Sequence, residues 1–95
     1  MGTRSSTVRP PAHAELARLV VRDVVVECER ALESPTPETG VRAAVHAGLV
    51  ALGELGTDDP STQLRAIEFE ADRVDVYGFE RIRARLAYAR ALLKL

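Results

Sequence analysis

Three carboxylates, Glu68, Asp72 and Asp75, follow one another at steps of four and three, the spacing that puts helical residues on one face. Carboxylate oxygens are preferred ligands of divalent cations, so this group could serve an all-helical, metal-dependent phosphohydrolase. Enzymes of that kind usually pair two acidic clusters, and the acids earlier in the chain do not repeat the spacing. We therefore interpret the three as a solvated or arginine-paired face, with metal-dependent hydrolysis as an alternative.

The histidines and the cysteine form no recognisable site. His13 and His46 have no Cys, His or Glu at the third or fourth following position, so the helical spacing of a zinc motif is absent. His46 is predicted to lie on the surface. Cys28 is the single cysteine, which excludes an intrachain disulfide, and we expect it to pack as a small apolar side chain. The sequence predicts no catalytic residue, no bound metal and no cofactor.

Cations gather near the end of the chain. Arg81 and Arg85 are one helical turn apart, and Tyr88 completes a row that could contact phosphates and stack on a base. Arg4 and Arg9 could add phosphate contacts from an N-terminal arm. The net charge of −1 over 95 residues argues against a chain whose main task is coating nucleic acid. Nucleic-acid binding by an oligomer of a regulatory or phage DNA-packaging type is therefore the first alternative function, and metal-dependent hydrolysis is the second.

Residues 11–95 are predicted to form a single helical domain after a flexible arm over residues 1–10, where Gly, Ser, Thr and Pro dominate. Apolar residues recur at helical spacing in four segments. The first predicted helix begins near Pro11. It ends before Ser34, because two prolines then interrupt the pattern.

The second and third predicted helices have start and stop signals of the same kind. Thr36 is the predicted N-cap of the second helix, which ends near Gly56. Asp59 is the predicted N-cap of the third helix, which has Pro60 in its first turn and Gly78 as a left-handed C-terminal cap. The fourth helix is predicted to begin at the next residue and to reach the end of the chain.

Residues 67–76 admit another interpretation, because their apolar side chains also alternate like two strands around a turn at Asp72-Arg73. We favour a helix, since a lone hairpin is marginally stable. The short connections then predict an all-α fold, a small up-and-down bundle of about four helices.

Gly40 and Gly48 stack on one face of the second helix, so another helix can approach closely. A Gly48→Leu change is therefore predicted to be destabilising.

A further set of apolar residues lies on otherwise polar helix faces and at the C-terminus. These are Leu19, Val26, Leu49, Val50, Phe69, Val76, Leu92 and Leu95. A second apolar face predicts a subunit interface, most simply that of a homodimer. The leading hypothesis is a non-catalytic interaction protein that self-associates and can hold a protein partner. We expect it to be cytoplasmic, because neither a signal peptide nor a membrane-spanning segment is apparent.

Overall fold

The computed structural model describes residues 9–57 and 60–95, with side chains from residue 14 onward. These residues form five helices and no strand. The helices are α1 (Arg9–Leu32), α2 (Pro37–Leu55), α3 (Ser61–Ala71), α4 (Val74–Tyr77) and α5 (Glu80–Leu93). The predicted all-α class is confirmed, and the hairpin alternative for residues 67–76 is wrong.

The helices pack in a closed order around one core. α2 packs on α1, α3 on α2, and α5 on both α3 and α1, while α4 serves as a connection. α1 and α2 are antiparallel, because Ala31 lies beside Gly40 and Val24 lies beside Gly48. This packing order is the one that an up-and-down bundle requires.

Aliphatic side chains dominate the core, as the scarcity of aromatic residues requires. Its largest fully buried members are Leu52, Leu64, Ile67, Ile82, Val21, Val25, Val41, Val45 and Cys28. The members from α1, α2 and α3 recur at helical spacing, and α5 contributes Ile82. The apolar faces of the four longer helices therefore pack together to form the core.

Two glycines of α2 allow its close approach to the neighbouring helices. A Cβ atom at Gly40 would lie 2.6 Å from Ala31 Cβ, and one at Gly48 would overlap Val24 Cγ2 and lie 2.8 Å from Leu64 Cδ1. Carbon atoms do not approach so closely, so a larger residue at either position requires the neighbouring side chains or helices to shift. The close contact predicted from the glycine spacing is present, and at Gly48 it joins α1, α2 and α3.

The helix ends agree in part with the predicted start and stop signals. α1 begins at Arg9, two residues before the predicted start. Thr36 occupies the N-cap of α2, but its side chain makes no capping hydrogen bond. Gly56, with φ 72° and ψ 31°, ends α2 in the left-handed conformation that glycine adopts readily. Pro60 stands at the N-cap of α3 rather than in its first turn, and Asp59 lies outside the described residues.

The predicted extent of the third helix is wrong, because α3 stops at Ala71 instead of continuing to Gly78. Arg73 leaves the helical conformation, with φ −119° and ψ 17°. One further turn, α4, follows, and Val74 packs against the core. Gly78 has φ 68° but ψ −157°, so it is not the predicted left-handed helical cap, although its positive φ still favours glycine. At the break, Arg42 of α2 donates a hydrogen bond to the Ala71 carbonyl oxygen.

Candidate interaction surface

The structure does not assemble the predicted acidic group. The break after Ala71 separates Glu68 and Asp72 from Asp75. Asp72 is instead paired with Arg42, whose Nη1 lies 2.7 Å from Asp72 Oδ1. Among the side chains that the structure describes, no group of three or more His, Cys, Asp or Glu is placed to hold a metal ion.

The arginine row of α5 faces an acid of α3. Arg81 Nη1 lies 4.0 Å from Glu70 Oε1, and Arg85 Nε lies 3.6 Å from Glu70 Oε2. The Glu70 side chain is only 5% exposed, and its Oε1 accepts no hydrogen bond from the described residues. Arg81 also stacks on the Tyr77 ring, with its guanidinium carbon 3.7 Å from the ring centroid. Both cations are therefore engaged within the fold.

The other members of the predicted nucleic-acid site add little to this row. Tyr88 is exposed on α5. Arg4 and the side chain of Arg9 lie outside the described part of the chain. The structure thus brings together only the two arginines of α5, and it places them beside a buried carboxylate.

Arginines also bind the C-terminal carbonyl groups of two helices. Arg18 of α1 donates to the carbonyl oxygens of Leu93, at 3.0 Å, and Lys94, at the end of α5. Arg42 of α2 donates to the carbonyl oxygen of Ala71 at 3.2 Å, at the end of α3. The last carbonyl groups of a helix have no partner within the helix, so these side chains stabilise both ends.

α1 and α5 are further joined by a two-pronged ion pair. Arg90 Nε and Nη2 each lie 2.7 Å from a carboxylate oxygen of Glu29. The hydrogen bonds from Arg90 lower the pKa of Glu29, and the same contact raises the pKa of Arg90. The ion pair therefore links α1 to α5, and the Glu29 carboxylate is held by Arg90.

The thiol of Cys28 is unsuited to nucleophilic chemistry. Cys28 is fully buried, and its Sγ lies 4.0 Å from the Val41 carbonyl oxygen. Burial, with the nearby charges of Glu29 and Glu27, raises the pKa of this thiol to about 12. Because the thiolate is the nucleophile, Cys28 is inert at neutral pH and packs as the small apolar side chain that we predicted.

A shallow groove runs along the surface where α1 and α2 lie side by side. Three adjoining depressions form it, and neighbouring depressions share lining residues such as Val20, Glu27, Ala44 and Ala51. It extends from Leu16 of α1 to Ser34, just beyond the end of that helix. At about 1.5 Å per residue, the part along α1 is about 24 Å long, the length of a helix of four to five turns. We call it, with the adjacent outer residues of α2, the outer α1–α2 face.

The α2 side of this face is largely apolar, although Asp23, Glu27, Arg30 and Glu54 also line the groove. Between Glu38 and Glu54 the only charged residue of α2 is Arg42, which is turned toward α3. Val50 and Leu16 are 49% and 47% exposed. The other exposed residues of this stretch of α2 are small or uncharged: Thr39, Ala43, His46, Ala47 and Gly53. Large exposed apolar surfaces of this kind commonly mark interaction sites.

The residues predicted as an interface are spread over the molecule. Leu19 lines the groove and Val50 lies on the outer surface of α2. Leu49 and Leu95 pack against the core. The remaining members are partly or largely exposed on separate helices: Val26 on α1, Phe69 on α3, Val76 on α4 and Leu92 on α5.

Sequence reasoning missed the alanines that line the groove. Ala44, Ala47 and Ala51 line the groove, and none of them is among the residues predicted as an interface. The signal available in the sequence was the absence of exposed charge from residue 43 to residue 53. Small residues draw less attention than leucines and valines, although they determine how closely a second helix can approach.

Comparisons with known proteins leave the family open. No family model matches the chain, and neither a curated protein nor a solved structure matches it. Within the described residues, none of the helices combines the length and the apolar character that crossing a lipid bilayer requires.

Proposed function

We propose that this chain is a non-catalytic interaction protein that self-associates by docking helices on its outer α1–α2 face. The observation that supports this most strongly is the groove itself, which is apolar, exposed and long enough for a whole helix. Helix-in-groove recognition needs an elongated apolar surface with polar residues at its edge, and Asp23 and Glu27 supply that edge. A protein partner that presents an amphipathic helix could use the same face.

The proposed absence of catalysis is supported by how the reactive side chains are used. Cys28 is a buried thiol with a high pKa. Asp72 is paired with Arg42, and Glu29 is paired with Arg90. His46 is exposed on the surface of α2. A cytoplasmic location remains a prediction of the sequence.

Nucleic-acid binding has less support than helix docking. Arg81 and Arg85 lie beside Glu70, and phosphate would have to compete with that carboxylate. Acidic residues on α3 and α4, such as Glu68 and Asp75, add repulsion near the same end of the molecule. Binding of RNA or DNA that weakens steeply with salt would restore this alternative.

Sedimentation velocity over a range of concentrations tests the proposal. We expect the average mass of the wild-type chain to rise with concentration. Val50→Glu places a charge on the outer α1–α2 face and should leave the chain monomeric, whereas Ala84→Glu, at an exposed position of α5, should associate like the wild type. Circular dichroism checks that both variants are folded. A wild-type chain that stays monomeric, or a Val50→Glu variant that associates normally, would contradict the proposal.

A further inference from the structure

We propose that Glu70 sets the register of α5 on α3, the position along the helix axis at which the two helices pack. Among the residues that the structure describes, Glu70 is the only charged side chain buried in the core. It is flanked by Arg81 and Arg85, which lie one helical turn apart on α5. The inference is separate from the proposed function, because it concerns packing within one chain.

The contacts of Glu70 are not those of a strongly stabilising ion pair. Arg81 Nη1 and Arg85 Nε lie 4.0 Å and 3.6 Å from its carboxylate oxygens, both longer than a hydrogen bond. Oε1 is buried and accepts no hydrogen bond from the described residues. Replacing a buried charged group by an apolar one of similar volume is often neutral or stabilising. The carboxylate therefore restricts where α5 can pack more than it strengthens the packing.

The apolar face of α5 does not define a single register. Its members recur at steps of three and four residues, and all are buried or packed against the core: Phe79, Ile82, Leu86, Ala89 and Leu93. A repeat of this kind presents a similar face to its neighbour after a shift of one helical turn, about 5.4 Å. Apolar contacts alone are therefore compatible with more than one position of α5 along α3.

The connection between α3 and α5 does not define the register either. It consists of α4, a single helical turn in which no side chain is fully buried. Val76, in this turn, is 73% exposed. A one-turn helix has little stability of its own, so it can unwind and let α5 move by a turn.

The spacing of the arginines distinguishes one register from its neighbours. The residues one turn before Arg81 and one turn after Arg85 are Tyr77 and Ala89. Moving α5 by one turn in either direction would replace one of the two cations beside Glu70 by an uncharged side chain. A buried carboxylate that loses a charged partner is strongly destabilising. Only the observed register places a cation on each side of Glu70.

A Glu70→Met variant, studied by amide NMR and urea denaturation, tests the proposal. Methionine is similar in length to glutamate but carries no charge. We expect a urea midpoint equal to or above that of the wild type, because no carboxylate is buried. We also expect doubled or exchange-broadened resonances for Ile82 and Leu86 of α5, while Val25 of α1 and Val45 of α2 keep single sharp resonances.

Two variants separate register from stability and from charge in general. Glu68→Met removes an acid of α3 that forms no ion pair within the described residues. Glu29→Gln removes the ion pair that Arg90 makes with α1, and it should lower the urea midpoint. Both should keep single resonances for α5.

The number of α5 resonances decides the outcome. One sharp set in Glu70→Met would overturn the proposal, whether the urea midpoint rises or falls. A Glu70→Met chain that does not fold would also overturn it, because Glu70 would then be required for stability. Doubled α5 resonances in Glu68→Met or Glu29→Gln would do the same, since the register would then respond to the loss of any charge.

Discussion

At the scale of single residues, Gly48 allows three helices to pack closely together. It sits where α1, α2 and α3 meet, and its missing side chain leaves the space that Val24 and Leu64 occupy. Glycine in a helix costs about 1 kcal/mol relative to alanine, so the fold accepts weaker helix propensity in exchange for close packing. Gly53, on the same helix, has no heavy atom within 4 Å of its Cβ position and shows only the propensity cost.

Replacing these two glycines by alanine should therefore have opposite effects. Gly48→Ala should lower the free energy of unfolding by about 1–3 kcal/mol, because overpacking outweighs the gain in propensity. Gly53→Ala should raise the free energy of unfolding by up to about 1 kcal/mol. Chemical denaturation of the wild type and both variants measures the difference. A Gly48→Ala variant as stable as Gly53→Ala would show that the three helices do not meet as closely as described.

The thiol of Cys28 should report on unfolding. Because its pKa is raised to about 12 and the side chain is fully buried, native protein at pH 8 should react with an aromatic disulfide reagent far more slowly than unfolded protein. Absorbance of the released thiolate follows the reaction. Native protein that reacted as fast as the protein in denaturant would contradict the burial of Cys28.

At the scale of helices, the sequence predicts where most of them begin and end. Prolines and Gly56 interrupt a helix through their own backbone conformation, so the ends of α1 and α2 were predictable within a few residues. The break after Ala71 was not predicted, because the local apolar pattern favoured a continuous helix, and the hydrogen bond from Arg42 to the Ala71 carbonyl joins residues 29 positions apart in the chain. The alternation around Asp72-Arg73 did mark an interruption, but it could not show that helix resumes beyond it.

Loss of that long-range contact should loosen α3. Arg42→Ala removes a donor to the Ala71 carbonyl and the ion pairs with Asp72 and Glu38, and we expect it to lower the free energy of unfolding by about 1 kcal/mol. For a domain of this size that corresponds to about 4–8 °C in melting temperature. Arg65→Ala is the matched control, since exposed Arg65 forms no ion pair within the described residues. Equal melting temperatures for the two variants would exclude the capping role.

The ion pair between Glu29 of α1 and Arg90 of α5 should make the stability of the fold depend on pH. The pKa of Glu29 is lowered in the folded state, so its contribution is present above the ordinary carboxyl pKa and is lost as the pH falls through the folded value. Glu29→Gln should therefore lower the melting temperature at pH 7, and the gap to the wild type should close in acid. Thermal melts across this pH range measure the effect. A gap independent of pH would contradict the pairing with Arg90.

At the scale of the whole molecule, the sequence predicted a second apolar surface from eight residues that the structure does not bring together on one face. Leu19 and Val50 belong to the outer α1–α2 face, whereas Leu49 and Leu95 pack against the core. Helical periodicity shows which residues share a face of one helix, but it does not show how faces of different helices combine. The groove depends on the close approach of α1 and α2 at glycines, which is a property of the pair.

The most direct test of the account is an amide NMR dilution series of the wild-type chain, from millimolar to low micromolar concentration. The account predicts that the resonances of Leu19, Ala47 and Val50 shift with concentration, while those of Phe69 on α3 and Ala84 on α5 stay fixed. Spectra that do not change on dilution, or shifts confined to α3 and α5, would contradict the assignment of the outer α1–α2 face as the working surface of this protein.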